Sequence, residues 1–397
     1  MLKNSHHQII LTIGIIFVAF NLRPAITSVG PLIDSIRTDM GLSNSSAGFI
    51  TTLPLLAFAI LSPLAPKLGR RFGNEKAVLL GLVLLAMGVF IRSMDWVTTL
   101  FIGTGLAGLG IAFCNVILPG IVKEYFPEKA GMMTGVYTTA MSISAALASG
   151  LSIPLAVQLK LGWEKSLLIW GIFAAISVFI WLPNVPRRKK VKDANDMTLS
   201  LPSLYKSKLA WYVTFFIGLQ SFIFYSTIAW IPEMIVSHGM DPATGGWMLA
   251  IMQFVGMPAS FLTPILAVKY ADQKGIVKVF AVFYLVGFIG LIFGSNQAII
   301  ILSVILIGIA QGGGFSLALT FFVLRSVHSI QAAALSGMAQ SFGYLLAAVG
   351  PMLMGFLFDL THNWTYPLIV LIGISIAMTI AGLGAGQNKL IGDKLTN

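Results

Sequence analysis

The sequence predicts an all-α polytopic membrane protein with twelve transmembrane helices in two six-helix pseudo-repeats. Of its 397 residues, 57% are hydrophobic and only 10% are charged, whereas soluble domains carry about 25% charged residues. Apolar runs long enough to cross a bilayer, which takes about 20 helical residues, recur along the whole chain. The two halves of the chain also resemble each other. These three observations favour this fold class over any soluble one.

The apolar runs define the predicted spans and domains. We expect spans at residues 9–36, 44–66, 76–92, 97–122, 130–157, 164–183, 208–235, 244–268, 277–294, 297–324, 331–358 and 365–386. The longest polar break follows the sixth span. The predicted domains are therefore an N-terminal bundle at 1–183, a cytoplasmic linker at 184–207 and a C-terminal bundle at 208–397.

The first and seventh spans show the internal repeat most clearly. The stretch "FNLRPAITSVGPLIDSIRTDMG" aligns with "LQSFIFYSTIAWIPEMIVSHGM" at an offset of about 199 residues, and this alignment places Asp34 on Glu233. If the chain has a binding site, we expect it near the bilayer midplane, where two such repeats would meet.

The basic residues predict the orientation in the membrane. With the N-terminus inside, 20 of the 25 Lys and Arg residues fall on the inner side. The outer side receives Arg37, Arg92, Lys160 and Lys165, and Arg23 alone is left within a span. Positive charge concentrates on the cytoplasmic side of membrane proteins. We therefore expect both termini in the cytoplasm of a bacterial-type cell, with the chain in its inner membrane, and the net charge of +11 needs no nucleic-acid partner.

No pattern in the sequence indicates catalysis, a metal or a cofactor. There is one cysteine, Cys114, and the five histidines show no metal-ligand spacing. No nucleophile and base are paired, and there is no soluble catalytic domain. A membrane enzyme or sensor on this scaffold is therefore not expected. The expected partners are the lipid bilayer and a small-molecule substrate, bound by a monomer.

Polar side chains near the middle of spans mark the helices that face protein or water rather than lipid. The first, fourth, seventh and tenth spans carry Arg23, Asn115, Gln220 and Gln311, and the eleventh adds Tyr344. The third, sixth, ninth and twelfth spans are almost purely apolar at their centres. The glycine triplet at 312–314 lacks the strand and lysine of a phosphate loop, so it indicates close helix packing.

Arg23 is the most informative residue in the chain. A buried arginine at a span centre costs about 2.5–3.5 kcal/mol on insertion scales, and all 14 acidic residues fall at span ends or in loops. Pro24 removes a backbone donor and favours a kink. One interpretation is structural, with backbone carbonyls and amide side chains holding Arg23. The other is that its planar fork of donors binds an anion or a planar polar molecule.

Several stretches resemble one family. They are "NLRPAITSVGPL", "NVILPGIVKEYFPEKAGMMTG", "GLQSFIFYSTIAWIP", "GIAQGGGFSLAL" and "LSGMAQSFGYLLAAVGP". Together they are similar to the cyanate permease and 2-nitroimidazole transporter family (the CynX/NimT type) of the major facilitator superfamily. The resemblance implies the major facilitator fold, alternating access and a small anionic or polar substrate. It leaves uptake and export open.

From the polar residues and the resemblance together, we predict that the substrate binds Arg23. The other predicted binding residues are Asn115, Gln220, Tyr225, Gln311 and Tyr344. Asp34, Glu233 and Glu124 are expected to be gate or helix-end groups. The alternative function is export of drugs or toxic compounds, which the aromatic residues Phe222, Phe224, Tyr225 and Trp230 would favour. The loop after the second span departs from the superfamily pattern, because Ser62 and Pro66 replace its glycine and aspartate.

Overall fold

The structure, a computed structural model, describes residues 2–42, 44–185, 201–240, 242–294 and 296–392. Most of the predicted linker, residues 186–200, lies outside them. The described residues form helices joined by short turns, with no strand among them. The helices are α1 (Leu2–Asn21), α2 (Pro24–Thr27), α3 (Ile33–Met40), α4 (Asn44–Leu61), α5 (Ala65–Phe72), α6 (Asn74–Arg92), α7 (Val97–Tyr125), α8 (Ala130–Ile153), α9 (Gly162–Trp181), α10 (Leu201–Lys206), α11 (Lys208–Val236), α12 (Pro242–Lys269), α13 (Lys274–Phe293), α14 (Gln297–Leu324), α15 (Ser329–Thr361) and α16 (Thr365–Ala385).

The described helices confirm the predicted set of spans. Eleven of the helical segments are long and apolar enough to cross a membrane, and a bent pair brings the number to twelve. From the third span onward, the helix ends agree with the sequence prediction to within a few residues. A π-helical turn at Pro154–Gln158 completes the fifth span.

The first two spans are broken. The break in the first lies at Pro24, where the sequence predicted a kink, whereas the break in the second was not predicted. The first span consists of α1, α2, a 3₁₀ turn at Gly30–Leu32 and α3. In the second, α4 and α5 meet at an angle of 55°. The sequence between them is "SPLAP", and its prolines lack the N–H groups that would continue the helix. The departure from the superfamily loop pattern therefore coincides with a bend in the backbone.

Burial follows the polar pattern for the first and third helix of each triplet of spans. In the most apolar window, 83% of α7 and 72% of α11 is buried, compared with 39% for both α9 and α13. The first and tenth spans are each 56% buried, and the third and twelfth are 50% and 44% buried. The first, fourth, seventh and tenth spans are thus more buried than the third, sixth, ninth and twelfth, but the eleventh span, which carries Tyr344, is only 33% buried.

The described residues group into two compact units. One comprises Met1–Glu128, Val136–Ser200 and His328–Ser341, and the other comprises Lys129–Gly135, Leu201–Val327 and Phe342–Asn397. Helices α8 and α15 therefore each contribute residues to both units. The domain boundaries drawn from the sequence at the linker stay a prediction.

In the first unit, α6 packs on α7 and α9, and α4 packs on α7. Glycines bring α6 and α7 close together: a Cβ added at Gly88 would lie 2.6 Å from the carbonyl oxygen of Gly103. One added at Gly81 would lie 2.9 Å from the Gly110 carbonyl oxygen. Small residues are the usual means of close helix contact in lipid, where dispersion contacts replace the hydrophobic effect.

In the second unit, α14 packs on α12 and α13, and α16 packs on α11 and α13. The glycine triplet lies in these contacts. A Cβ at Gly312 would lie 2.8 Å from the Cα of Gly256, and one at Gly313 would overlap the Phe280 ring. The structure confirms that the triplet serves helix packing.

Candidate functional site

Arg23 lies at the break in the first span. Helix α1 ends at Asn21, and the Leu22 N–H turns back to the Ala19 carbonyl in a tighter bond of 3.1 Å. Helix α2 begins at Pro24, which has no N–H to continue α1. Arg23 is therefore the residue before a new helix, and its carbonyl accepts from the N–H groups of Ile26 and Thr27 at 2.9 and 3.0 Å. Its side chain is only 8% exposed.

Polar side chains of α8 and α9 form hydrogen bonds to residues 21–28 of the first span, which are called the broken segment below. The Asn21 amide donates to the Ser177 hydroxyl of α9 at 2.6 Å. From α8, the Ser152 hydroxyl donates to the Ser28 carbonyl at 3.0 Å, and the Ser149 hydroxyl donates to the Thr27 carbonyl at 3.2 Å. Backbone that leaves a helix within a membrane protein must find such partners, because lipid offers none. Hydrogen bonds from neighbouring helices thus hold the chain both before and after Arg23.

Arg92 also reaches the broken segment, which the sequence did not predict. It was expected on the outer side, at the end of the third span, as one of four charges that orient the chain. In the structure it is the last residue of α6 and is fully buried. Its Nη1 donates to the Ala25 carbonyl at 2.5 Å. Its Nε and Nη2 have no hydrogen-bond partner among the described residues. Arg23 is therefore not the only buried arginine of the first unit.

Asn115 and the expected gate acids lie in different surroundings. Asn115 is in the middle of α7 and is buried, at 6% exposure. Glu124, at the end of the same helix, is exposed and accepts a long bond of 3.4 Å from the Asn74 amide. Glu233 is exposed near the end of α11. Asp34 belongs to α3, but its side chain lies outside the described residues.

In the second unit, Gln220 and Gln311 meet. The Gln220 amide of α11 donates to the backbone carbonyl of Gln311 in α14 at 3.2 Å, and both side chains are buried. The Gln311 amide donates in turn to the hydroxyl of Thr227, one to two turns further along α11. Thr227 was not predicted as part of a site. These bonds join α11 to α14 at mid-helix, so part of the donor capacity of both glutamines is used within the protein.

Tyr225 and Tyr344 also meet in the second unit. Their ring centroids are 6.3 Å apart, with Tyr225 on α11 and Tyr344 on α15. Phe224 packs edge-on against Tyr225 at 5.2 Å. Trp230 lies further along α11, where its indole donates to the Pro351 carbonyl and its ring packs on Trp364. Of the aromatic residues that suggested a drug site, Phe224 and Tyr225 thus lie near Tyr344, and Trp230 belongs to a separate packing cluster.

These groups are hydrogen-bond donors and acceptors. Arginine offers up to five donors in a planar fork, and amides and phenols add neutral donors and acceptors. Among the described residues, no three His, Cys, Asp or Glu side chains are placed to hold a metal ion. The buried polar groups thus offer both hydrogen-bond donors and acceptors inside the helix bundles.

The comparisons with known proteins agree with this chemistry. The pattern of the Major Facilitator Superfamily matches residues 11–348. The chain is 55% identical to the uncharacterized transporter YycB of Bacillus subtilis, over 96% of this chain and 94% of that protein. It is 40% identical to the 2-nitroimidazole transporter of Escherichia coli, over 97% of both chains. It is 26% identical to the cyanate transport protein CynX of Escherichia coli, over 91% of this chain and 94% of the other.

The fold is also that of solved transporters. The proton:xylose symporter XylE superposes with a TM-score of 0.78 at 14% identity, covering 98% of both chains. At that identity the likeness concerns the fold alone. The match over most of the chain, the fold and the full-length relatives together show that the chain belongs to the major facilitator superfamily of membrane transporters, and within it to the cyanate permease and 2-nitroimidazole transporter type.

Proposed function

We propose that this transporter moves a small anion or a small planar polar solute by alternating access, and that Arg23 anchors the solute at the midplane. The observation that carries the proposal is the position of Arg23, which is buried on a break in the first span. Transporters of this general kind bind solutes where helices are interrupted, because interrupted helices present backbone groups as well as side chains.

The energetics support an anchoring role for Arg23. A guanidinium keeps its charge in proteins, and placing one at a span centre is expensive. Charged residues inside membrane spans commonly line the path of a transported solute or ion. The planar fork suits carboxylate-like anions and planar molecules with several acceptors, because two parallel N–H groups can bind two acceptor atoms at once.

Relatives of the chain transport solutes of this chemistry. One is a 2-nitroimidazole transporter and another is a cyanate transport protein. Both named solutes are small and rich in acceptor atoms, and one is an anion. We propose that this chain takes the same substrate class.

The neutral residues are proposed to bind the substrate as well. Asn115 lies on α7 of the first unit, and Tyr225 and Tyr344 lie on α11 and α15 of the second. Gln220 and Gln311 donate within the protein. Their proposed role is to present amide oxygens and to fix α11 against α14. Their removal should therefore affect stability as well as binding.

Export of a larger aromatic compound is the second candidate function. The paired rings of Tyr225 and Tyr344, with Phe224 beside them, favour it, because aromatic faces bind flat apolar molecules. A substrate of that kind would depend on the rings and little on Arg23. Arg23 variants therefore separate the two candidates.

The assembly and cellular setting are proposed as follows. The transporter acts as a monomer in the bacterial inner membrane, with both termini and the linker in the cytoplasm. The support is the distribution of basic residues in the sequence, with 20 of 25 on one predicted side.

The test is a binding screen on the purified protein. Sodium cyanate, sodium nitrite, 2-nitroimidazole and the bulky dye ethidium are titrated calorimetrically into wild type, Arg23→Gln, Arg23→Lys and the control Lys165→Met. Lys165 is exposed at the start of α9, so the control removes one charge away from the break. We expect a small solute to bind wild type and the control equally. We expect binding to fall at least ten-fold in both Arg23 variants, since lysine keeps the charge but loses the fork.

Two results would contradict the proposal. If Arg23→Gln binds the solute as wild type does, Arg23 has only a structural role. If ethidium binds while the three small solutes do not, the exporter function replaces the proposed one.

A further inference from the structure

We propose that Arg92 is a positioning residue, which holds the broken segment of the first span so that Arg23 presents its guanidinium to the solute. The inference rests on the proposed function of Arg23. The observation behind it is that Arg92 spans from the end of α6 to a backbone carbonyl only two residues after Arg23.

The Ala25 carbonyl needs a donor because of the break. In a continuous helix, it would accept from the N–H of residue 29. Here the Val29 N–H bonds to the Ile26 carbonyl instead, at 3.3 Å. Buried carbonyls in a membrane protein are almost always paired. Arg92 supplies the missing donor through Nη1 at 2.5 Å. The contact is therefore specific to the irregular backbone and would have no purpose in a straight helix.

The end of α6 is a firm support for this contact. Gly103 of α7 lies directly against the backbone of Arg92, and a Cβ there would come within 2.7 Å of the Arg92 Cα. One turn before Arg92, Val89 packs on α9, where a Cβ at Gly171 would lie 3.1 Å from a Val89 methyl carbon. Both neighbours fix the position from which the guanidinium extends. A shift of α2 would therefore be resisted through the Arg92 side chain.

The unpaired donors of Arg92 argue against a purely stabilising role. Its Nε and Nη2 have no partner among the described residues, although the side chain is fully buried. A buried charge that is only partly bonded destabilises a protein relative to an apolar side chain of similar length. Replacing Arg92 with methionine removes the buried charge but leaves the Ala25 carbonyl without a donor, so the two effects on thermal stability oppose each other and we expect a small net change. If Arg92 positions Arg23, the same replacement should weaken substrate binding much more than it changes thermal stability.

The experiment uses Arg92→Met, Arg92→Lys, Arg23→Gln, the double variant Arg23→Gln/Arg92→Met and the control Lys165→Met. Hydrogen exchange of the peptide that covers residues 22–32 is measured on each full-length protein. Binding of 2-nitroimidazole and of sodium cyanate is measured by calorimetry, and the apparent melting temperature is recorded in the same detergent.

For Arg92→Met, we expect at least five-fold faster exchange of the peptide that covers residues 22–32 and at least ten-fold weaker binding, with little change in melting temperature. Arg92→Lys, which keeps one donor, should recover part of both effects. In the Arg23→Gln background, the Arg92→Met change should weaken binding no further, because it acts through Arg23. The Lys165→Met control should match wild type in all three measurements.

Unchanged exchange in Arg92→Met would overturn the inference, whatever the substrate. Additive losses of binding in the double variant would also overturn it, because Arg92 would then act independently of Arg23. By contrast, normal binding in Arg23→Gln would refute the proposed function, and the exchange data would still decide whether Arg92 holds the broken segment.

Discussion

His328 caps the N-terminus of α15. Its backbone carbonyl accepts from the Ala332 N–H at 3.0 Å, and its ring Nδ1 accepts from the Gln331 N–H at 3.1 Å. Partial burial lowers the pKa of His328, and the positive charge of Lys123 lowers it further. The ring is thus held in its neutral form, which is the form that can accept a hydrogen bond at Nδ1.

We predict that the protein becomes less stable as the pH falls below about 6.5, the ordinary histidine pKa. Because the pKa of His328 is lowered in the folded protein, the unfolded chain binds its proton first and is favoured at lower pH. The contribution of neutral His328 to the free energy of unfolding is complete above pH 6.5, and it is lost as the pH falls through the lowered pKa of the folded protein. Protonation also removes the cap, which is worth about 1 kcal/mol.

The measurement is the apparent melting temperature in detergent between pH 8 and pH 5.5. His328→Asn keeps a capping acceptor but does not titrate, so its profile should be flatter than that of wild type over this range. His328→Ala should be less stable at every pH. Parallel profiles for wild type and His328→Asn would show that another group causes the pH dependence.

The sequence revealed Arg23 but not Arg92, for a physical reason. A charge in the middle of an apolar run stands out, because any solvated position is about ten residues away. Arg92 follows an apolar run directly, where a solvated loop charge and a buried side chain that folds back look the same in sequence. Arg325 is likewise one of the 20 basic residues counted on the inner side, yet it is 3% exposed and donates to Gln273 and to the Lys389 carbonyl. Burial at span ends depends on neighbours that only the tertiary structure supplies.

At the scale of elements, composition was enough to place the helices but not their interruptions. Hydropathy reports where apolar residues begin and end, and it is insensitive to the backbone path between them. Prolines give only a partial signal. Pro24 and Pro63 lie at breaks, whereas Pro119 lies inside the continuous helix α7. Whether a proline breaks a helix or is tolerated depends on whether neighbouring groups accept the freed backbone.

We predict that Gly312→Ala destabilises the protein by about 1–3 kcal/mol, the usual cost of overpacking. The added Cβ would meet the backbone of Gly256, which cannot move as a side chain could. The matched control is Gly373→Ala in α16, where a Cβ would meet nothing within 4 Å. That change should be neutral or stabilising by up to about 1 kcal/mol, because alanine favours helix.

Thermal unfolding of both glycine variants in one detergent gives the comparison. Equal melting temperatures for the two variants would mean that α12 and α14 separate easily enough to accept a methyl group. In that case, the contact between Gly256 and Gly312 would not define the packing of the second unit.

At the scale of the whole molecule, we predict that both termini are cytoplasmic. In a Cys114→Ala background, a cysteine at Asp95 should react with an impermeant maleimide from outside intact cells. A cysteine at Asp272 should react only in inverted vesicles. Both positions are exposed turns, so access to the reagent depends on the side of the membrane alone. The opposite labelling pattern would reverse the orientation inferred from the basic residues.

The coupling of solute transport to proton movement is also a property of the whole molecule. We predict that this transporter has no dedicated proton relay. Proton-driven transporters place titratable Asp, Glu or His along the solute path. In this sequence, the centres of the predicted spans hold Arg23 and neutral amides and phenols, and all 14 acids fall at span ends or in loops. Glu124 and Glu233 are exposed. The transporter should therefore act as a uniporter or an exchanger, unless the solute itself carries the proton.

The test uses proteoliposomes with equal sodium cyanate on both sides and an inward proton gradient between pH 6.5 and pH 8, where cyanate stays anionic. The membrane potential is clamped with potassium and valinomycin, so that only the proton gradient can drive accumulation. We expect cyanate to equilibrate without accumulating, and to exchange with external cyanate at the same rate with and without the gradient. Accumulation driven by the proton gradient would contradict the prediction. Its loss in Glu124→Gln, Glu233→Gln or Asp34→Asn would then identify which of the three acids carries the proton.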